Sequence, residues 1–138
     1  MQSLNENPAP PSLARVIVVD DHDLLRESLR SMLECEQDLQ IVAEAKDGQE
    51  AIELCRLHRP DLVLMDVRMP KVDGFEATRR IKEEVDTTKV LMMSASNGGE
   101  YVSKAIRAGA EGYVSKDASM EELQEAVREV LWGEFRYP

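Results

Sequence analysis

No apolar run in the 138 residues approaches the ~20 needed to cross a bilayer, so no membrane anchor is expected. Met1–Ser12 is polar and proline-rich, without a basic n-region or an apolar h-region, so it does not read as a secretory signal; a cytoplasmic location follows. Cysteine is scarce. Cys35 and Cys55 match no metal or redox spacing and read as reduced, mostly buried thiols. Basic residues are also short, 17 against 27 acidic, for a net charge of −10. That balance opposes direct binding to a phosphate backbone. It suits a site for a divalent cation, although solubility is the simpler account of the total. No internal repeat and no second domain is visible.

What is present fits one domain with a full core: 43% hydrophobic and 32% charged residues. Met1–Leu13 reads as a disordered leader. Val16-Ile17-Val18-Val19 is an all-β-branched run, hence a first strand over Arg15–Asp20. Leu24, Leu25, Leu29, Met32 and Leu33 follow at helical spacing. Leu39–Ala43 is a second, more mixed strand. Asp47-Gly48-Gln49-Glu50 has capping-box spacing for a second helix, which Pro60 closes. Leu62–Met65 is a third strand, solidly apolar and running into Asp66. Asp73–Glu76 again has capping-box spacing, with Ile81 and Val85 on one face behind it. Val90–Met93 is a fourth strand. Asn97 and Gly98-Gly99 interrupt the chain before a helix whose apolar face is Val102, Ala105 and Ile106, capped by Gly109. Gly112–Ser115 is a fifth strand, and Ser119 with Glu122 caps a last helix.

Five strands alternating with five helices predict an α/β protein with a parallel sheet covered on both faces. The apolar strands one, three and four belong in its middle. The doubly wound, flavodoxin-like order 2-1-3-4-5 satisfies this and sets strands one and three side by side.

The chemistry collects at the carboxyl ends of the strands: Asp20-Asp21 after strand one, Asp66 after three, Ser94 after four, Lys116 after five. Each residue alone is weak. Asp-Asp is common at turns and caps, and a lone lysine is usually solvated. Together they mark one site at the switch point of the sheet. Three converging carboxylates repel one another unless a cation joins them. Mg²⁺ takes oxygen ligands, through one or two carboxylates plus phosphate oxygens. A carboxylate nucleophile beside Mg²⁺ and a lysine suits phosphoryl transfer.

The segments Val18–His22, Met65–Pro70 with Asp73-Gly74, Ser94-Ala95 and Gly112–Asp117 resemble the receiver domain of bacterial two-component response regulators. The resemblance spans roughly residues 14–132. Asp117 after Lys116, with Asp20-Asp21-His22, is similar to the NarL/FixJ-type subfamily. This resemblance implies that Asp66 accepts a phosphoryl group from a sensor histidine kinase. It implies Mg²⁺ held by Asp20, Asp21, Asp66 and the Arg68 backbone carbonyl. Ser94 and Lys116 would contact the phosphoryl group, and Tyr113 would change rotamer with Ser94. The domain would catalyse its own phosphorylation and slow dephosphorylation, acting as a switch rather than an enzyme. The last two helices and strand five would carry the readout, with Gly98-Gly99 easing the segment that moves. Homodimerisation on phosphorylation stays open.

Residues 133–138 resemble the start of the linker to a DNA-binding helix-turn-helix. A chain cut from a longer transcription regulator is therefore favoured over a stand-alone receiver, and this piece alone is not expected to bind DNA. Ser94 stands where many receivers have threonine and keeps the hydroxyl. Arg68 and Ser96 occupy positions that influence phosphoryl lifetime in the family. His22 reads as a loop residue beside the site, His58 as a partly exposed helix residue, Tyr101 as surface, and Met65, Met92 and Met93 as core filler. Trp132 and Phe135 fall where the domain should end. A haloacid dehalogenase-type phosphatase would need a second acid where Arg68 stands. A flavodoxin-type cofactor protein would need a phosphate loop where Asp20–Asp23 would repel an anion. A vestigial module is the third alternative, against which the complete residue set argues.

Overall fold

The computed structural model describes residues 12–95 and 98–133. The leader Met1–Pro11, Ser96, Asn97 and the segment containing Phe135 lie outside them. The chain alternates strictly: β1 (Ala14–Val19), α1 (Asp23–Glu34), β2 (Leu39–Ala45), α2 (Gly48–His58), β3 (Leu62–Asp66), α3 (Gly74–Glu84), β4 (Lys89–Ser94), α4 (Gly99–Ala108), β5 (Gly112–Ser115) and α5 (Met120–Trp132). All strand pairs are parallel, in the order β2-β1-β3-β4-β5. This is the doubly wound arrangement that the apolar strands predict.

Alternation within each strand builds two cores. Val16, Val18, Leu62, Leu64, Leu91 and Val114 face α1 and α5, meeting Leu29, Leu33, Val127 and Leu131. Ile17, Val19, Val63, Met65, Met92 and Tyr113 face the other way, toward Ala51, Ile52, Ala77, Ile81 and Ala105. Each fully buried Leu or Ile contributes about 1.5–3 kcal/mol. The central strands are buried on both faces, which is why their sequence is a continuous apolar run.

Register brings the carboxyl ends level. Val19 pairs with Met65, Asp66 with Met93, and Ser94 with Ser115. The opposite ends are tied by side chains. The Lys82 ammonium donates to the Thr88 carbonyl (2.8 Å) and to Glu111 (2.5 Å), and Glu111 accepts from the Val90 N–H (2.8 Å). The Thr88 hydroxyl donates to the Pro60 carbonyl, and the Arg15 N–H to Asp61, both at 2.8 Å.

Several local expectations need correction. Leu24 is 82% exposed, because the buried stripe of α1 runs through Leu29, Met32 and Leu33. Ile106 is 53% exposed, with Ala105 the buried residue of α4. Cys35 is not buried: it lies exposed just past α1, whereas Cys55 is buried in α2. Tyr101 is half-buried and packs edge-on against Phe75, with ring centroids 5.8 Å apart. Among the described residues, only α5 carries a reciprocal capping box. Asp47 and Asp73 do accept from the N–H three residues on, but Glu50 reaches back to the Lys46 N–H and Glu76 turns to Arg79 and Arg80. Met65, Met92 and Met93 are core residues, as expected. Trp132 is partly buried beneath the Arg128 guanidinium, 5.5 Å from its ring centroid.

Candidate functional site

Asp20 follows the last residue of β1. Its N–H donates to the Ala45 carbonyl of β2 (3.0 Å), which extends the ladder by one bond. The side chain is fully buried, and Oδ1 accepts from the His22 N–H (2.8 Å), a short turn typical of aspartate at a strand-to-helix junction. Asp66 closes β3 at 2% exposure, and Ser94 closes β4, also buried. Lys116 is one residue beyond β5 and is placed by its own N–H, which donates to the Ser94 carbonyl (2.8 Å).

The Lys116 ammonium reaches both acids, 3.0 Å from Asp66 Oδ1 and 3.3 Å from Asp20 Oδ2. Asp66 Oδ1 also meets the Arg68 N–H at 3.4 Å. Among the described residues, Asp66 Oδ2 is buried without a hydrogen-bond partner, and Asp20 Oδ2 has the ion-pair contact but no aligned hydrogen bond. Burial pushes the Asp66 carboxyl above the usual carboxylate range, and the Asp20 charge adds to this. The Lys116 hydrogen bond opposes it. Burial alone would lower the Lys116 ammonium, but its bond to Asp66 and the two negative charges outweigh this and hold it above the usual lysine value.

Asp21 points outward beside Asp20. Ligand atoms of Asp20, Asp21 and His22 lie within 4.8 Å of one another. The histidine is 77% exposed, beside the site as expected. Asp66 lies outside that tight group and joins it through Lys116. Two buried, under-satisfied carboxylate oxygens and a third acid alongside make an all-oxygen donor set that fits a hard divalent cation.

Tyr113 is already turned inward, 1% exposed, with its hydroxyl hydrogen-bonded to Ser94; burial raises its pKa, partly offset by that bond. Sequence reasoning passed over Arg26, and it named Gly74 in a motif without its steric role. The Arg26 guanidinium on α1 donates to the Asp20 carbonyl at 2.7 Å. The only signal was a long cationic side chain one turn into the helix that follows the acidic pair. Gly74 sits where an added Cβ would lie 2.2 Å from the Asp66 carbonyl oxygen, so its lack of a side chain lets α3 start directly under β3. The signal was a glycine immediately after a capping aspartate.

Known proteins resemble this chain in sequence and in fold. The model of the response regulator receiver domain matches residues 16–128. The transcriptional regulatory protein DegU of Brevibacillus brevis is 37% identical over 132 residues, covering 96% of this chain and 54% of the relative. A LuxR-family two-component response regulator from Aurantimonas sp. SI85-9A1 superposes with a TM-score of 0.87 at 38% identity, covering 91% of this chain and 89% of that one. The signal receiver domain of the response regulator NarL from Mycobacterium tuberculosis gives 0.81 at 38% identity, covering 86% and 96%. The chain spans about half the length of the curated relatives it matches. With its strand order, its acidic strand ends and a family match over most of its length, the chain belongs to the response regulator receiver domain family, the switch module of two-component signalling.

Proposed function

We propose that Asp66 is the phosphoacceptor of this receiver and that a sensor histidine kinase is the donor. The observation that carries this reading is the Asp66 carboxylate itself. It sits on a strand end with one oxygen engaged by Lys116 and Arg68 and the other, Oδ2, without a hydrogen-bond partner among the described residues. In the transfer, an Asp66 oxygen bonds to phosphorus while the P–N bond of a phosphohistidine breaks. The imidazole nitrogen keeps the electron pair and takes up a proton. Lys116 is placed to pair with a phosphoryl oxygen, and Ser94 supplies a hydroxyl at the neighbouring strand end.

Asp20, Asp21, Asp66 and the Arg68 backbone carbonyl would hold Mg²⁺. Bound there, it would neutralise the acidic cluster and the charge developing on the transferred group. The aspartyl phosphate adds about −1.5 to −2 charge and three acceptor oxygens. Ser94 and Lys116 respond to those acceptors together, because they share a backbone hydrogen bond. Tyr113 is bonded to Ser94 and carries that response toward α4 and β5, so the switch biases two packings of one surface. The domain is a switch that is loaded once and discharges itself slowly, not a turnover enzyme.

On this reading the receiver spans residues 14–132, with a leader at 1–13 and a linker from 133. The site acts in the cytoplasm; among the described residues, no helix is long and apolar enough to cross a membrane. The output is transcription through a DNA-binding domain, a reading supported by relatives named transcriptional regulatory proteins that are nearly twice as long as this chain. The test is intact-mass spectrometry after acetyl phosphate treatment, with and without Mg²⁺. One added phosphoryl group per chain, dependent on Mg²⁺ and mapped to residue 66, is expected. Equal labelling of Asp66→Asn, or many turnovers of a phosphate ester per chain, would overturn the assignment.

A further inference from the structure

We infer that Arg26 is a positioning residue that aims the Asp20–Asp21 arm at the cation. The inference rests on reading the acidic cluster as a divalent-cation site.

Asp21 is the exposed member of the pair. Among the described residues, its carboxylate has one polar contact, an exposed His22 ring nitrogen at 3.7 Å. Such a contact cannot fix a ligand, so the direction of Asp21 is set by the peptide that joins it to Asp20. That peptide group is gripped by Arg26, whose Nη1 donates to the Asp20 carbonyl at 2.7 Å. Of the other contacts at Asp20, its N–H bonds β2, its Oδ2 faces Lys116, and its Oδ1 closes a turn on the His22 N–H across Asp21; none of them holds the peptide carbonyl. Arg26 is thus the contact that sets the plane of the Asp20–Asp21 peptide from the side of α1.

The guanidinium is itself held. Nη2 donates to Asp23 at 2.7 Å, and Nε lies 3.3 Å from Glu44 Oε1 on β2. Glu44 Oε2 is held in turn by Arg30 at 2.8 Å. The Arg26 side chain is only 17% exposed. A planar fork can meet a carbonyl and two carboxylates in three directions at once, which a lysine ammonium on a flexible stem does not reproduce. The brace therefore ties α1, β2 and the metal arm into one unit.

Two effects of Arg26 on cation binding have opposite signs. Its positive charge near the site disfavours a second cation. Its grip on the Asp20 carbonyl pre-orients a ligand, and loss of such an outer contact typically weakens metal affinity by 10–100-fold. The inference is that the second effect prevails.

Mg²⁺ affinity of the full chain is measured by isothermal titration calorimetry for the wild type, Arg26→Ala and Arg26→Lys. Metal-free circular dichroism and melting are run on each. Arg26→Ala is expected to weaken Mg²⁺ about 10-fold or more, with Arg26→Lys recovering part of the loss. The rate of labelling by acetyl phosphate should fall at low Mg²⁺ and return near the wild-type value when Mg²⁺ saturates. If Arg26→Ala does not fold, Glu44→Gln, which loosens the brace from outside the site, should weaken Mg²⁺ in the same direction by a smaller factor. Unchanged or tighter Mg²⁺ binding in the folded variants would overturn the positioning role and leave Arg26 a purely structural or repulsive group. Absence of Mg²⁺ binding in the wild type would instead overturn the cation reading on which this inference rests.

Discussion

Replacing Asp66 with asparagine should make the metal-free protein more stable while removing its acceptor. Asp66 is 2% exposed, its Oδ2 has no hydrogen-bond partner, and the Asp20 charge lies close by. A buried charged acceptor left unsatisfied costs about 1–3 kcal/mol or more. Asparagine removes that charge and its repulsion with Asp20. It also forfeits attraction to Lys116, but Lys116 keeps Asp20 and is itself partly solvated. The net expected gain is on the order of 1 kcal/mol, which for a domain of this size raises the melting midpoint by roughly 3–5 °C. The pH dependence has a defined sign. The folded-state pKa of Asp66 is raised above its ordinary value of 3.8, so its favourable contribution is complete below the unfolded pKa and is lost as pH rises through the folded one. The advantage of asparagine is therefore present at pH 7 and shrinks as pH falls toward and below the ordinary carboxylate range. Mg²⁺ should reverse the order. At a hundredfold excess over its dissociation constant, a ligand stabilises the native state by about 2.7 kcal/mol, and the variant lacks one ligand. Urea titrations of both proteins, with and without Mg²⁺, at neutral and acidic pH, make the measurement. A metal-free variant less stable than wild type by about 1 kcal/mol or more would refute the reasoning.

Gly74→Ala should destabilise by about 1–3 kcal/mol and slow labelling by acetyl phosphate, since the new Cβ would lie 2.2 Å from the Asp66 carbonyl oxygen and 2.8 Å from the Val67 Cα. Gly99→Ala, in open space at the start of α4, serves as the control and should be neutral or stabilising by up to ~1 kcal/mol in the same urea titration. Thiol labelling at mildly alkaline pH should modify one cysteine in the native protein and two in denaturant, because Cys35 is exposed while burial pushes the Cys55 thiol up to about 12.

The fold was legible because the strands state their own position. A run such as Leu62–Met65 has no polar face and so can only be central, which leaves β2 and β5 for the edges. The four strand ends were legible for the same reason: each polar residue stands in the chain directly beside the apolar run that places it. What the sequence hid depends on directions that spacing does not record. Leu24 shares the helical period of Leu25 and Leu29, yet the phase of α1 turns it to solvent. Glu50 and Glu76 have capping-box spacing but find better partners in Lys46 and in Arg79 and Arg80. Arg26 reaches across six positions to a backbone carbonyl, and no local pattern encodes that reach. The inward ring of Tyr113 could not be read either, since one residue type is compatible with both orientations.

The ties made by Lys82, Glu111, Thr88 and Asp61 all lie where β1, β3, β4 and β5 begin. In a fan held at its rivet, a small turn displaces the tips most, and these strands have the same layout. Six residues of β4 give a blade roughly 20 Å long, so a rotation of about 3° carries its tip by about 1 Å. An ångström-scale adjustment around Ser94 and Lys116 would thus require no strand to change partner.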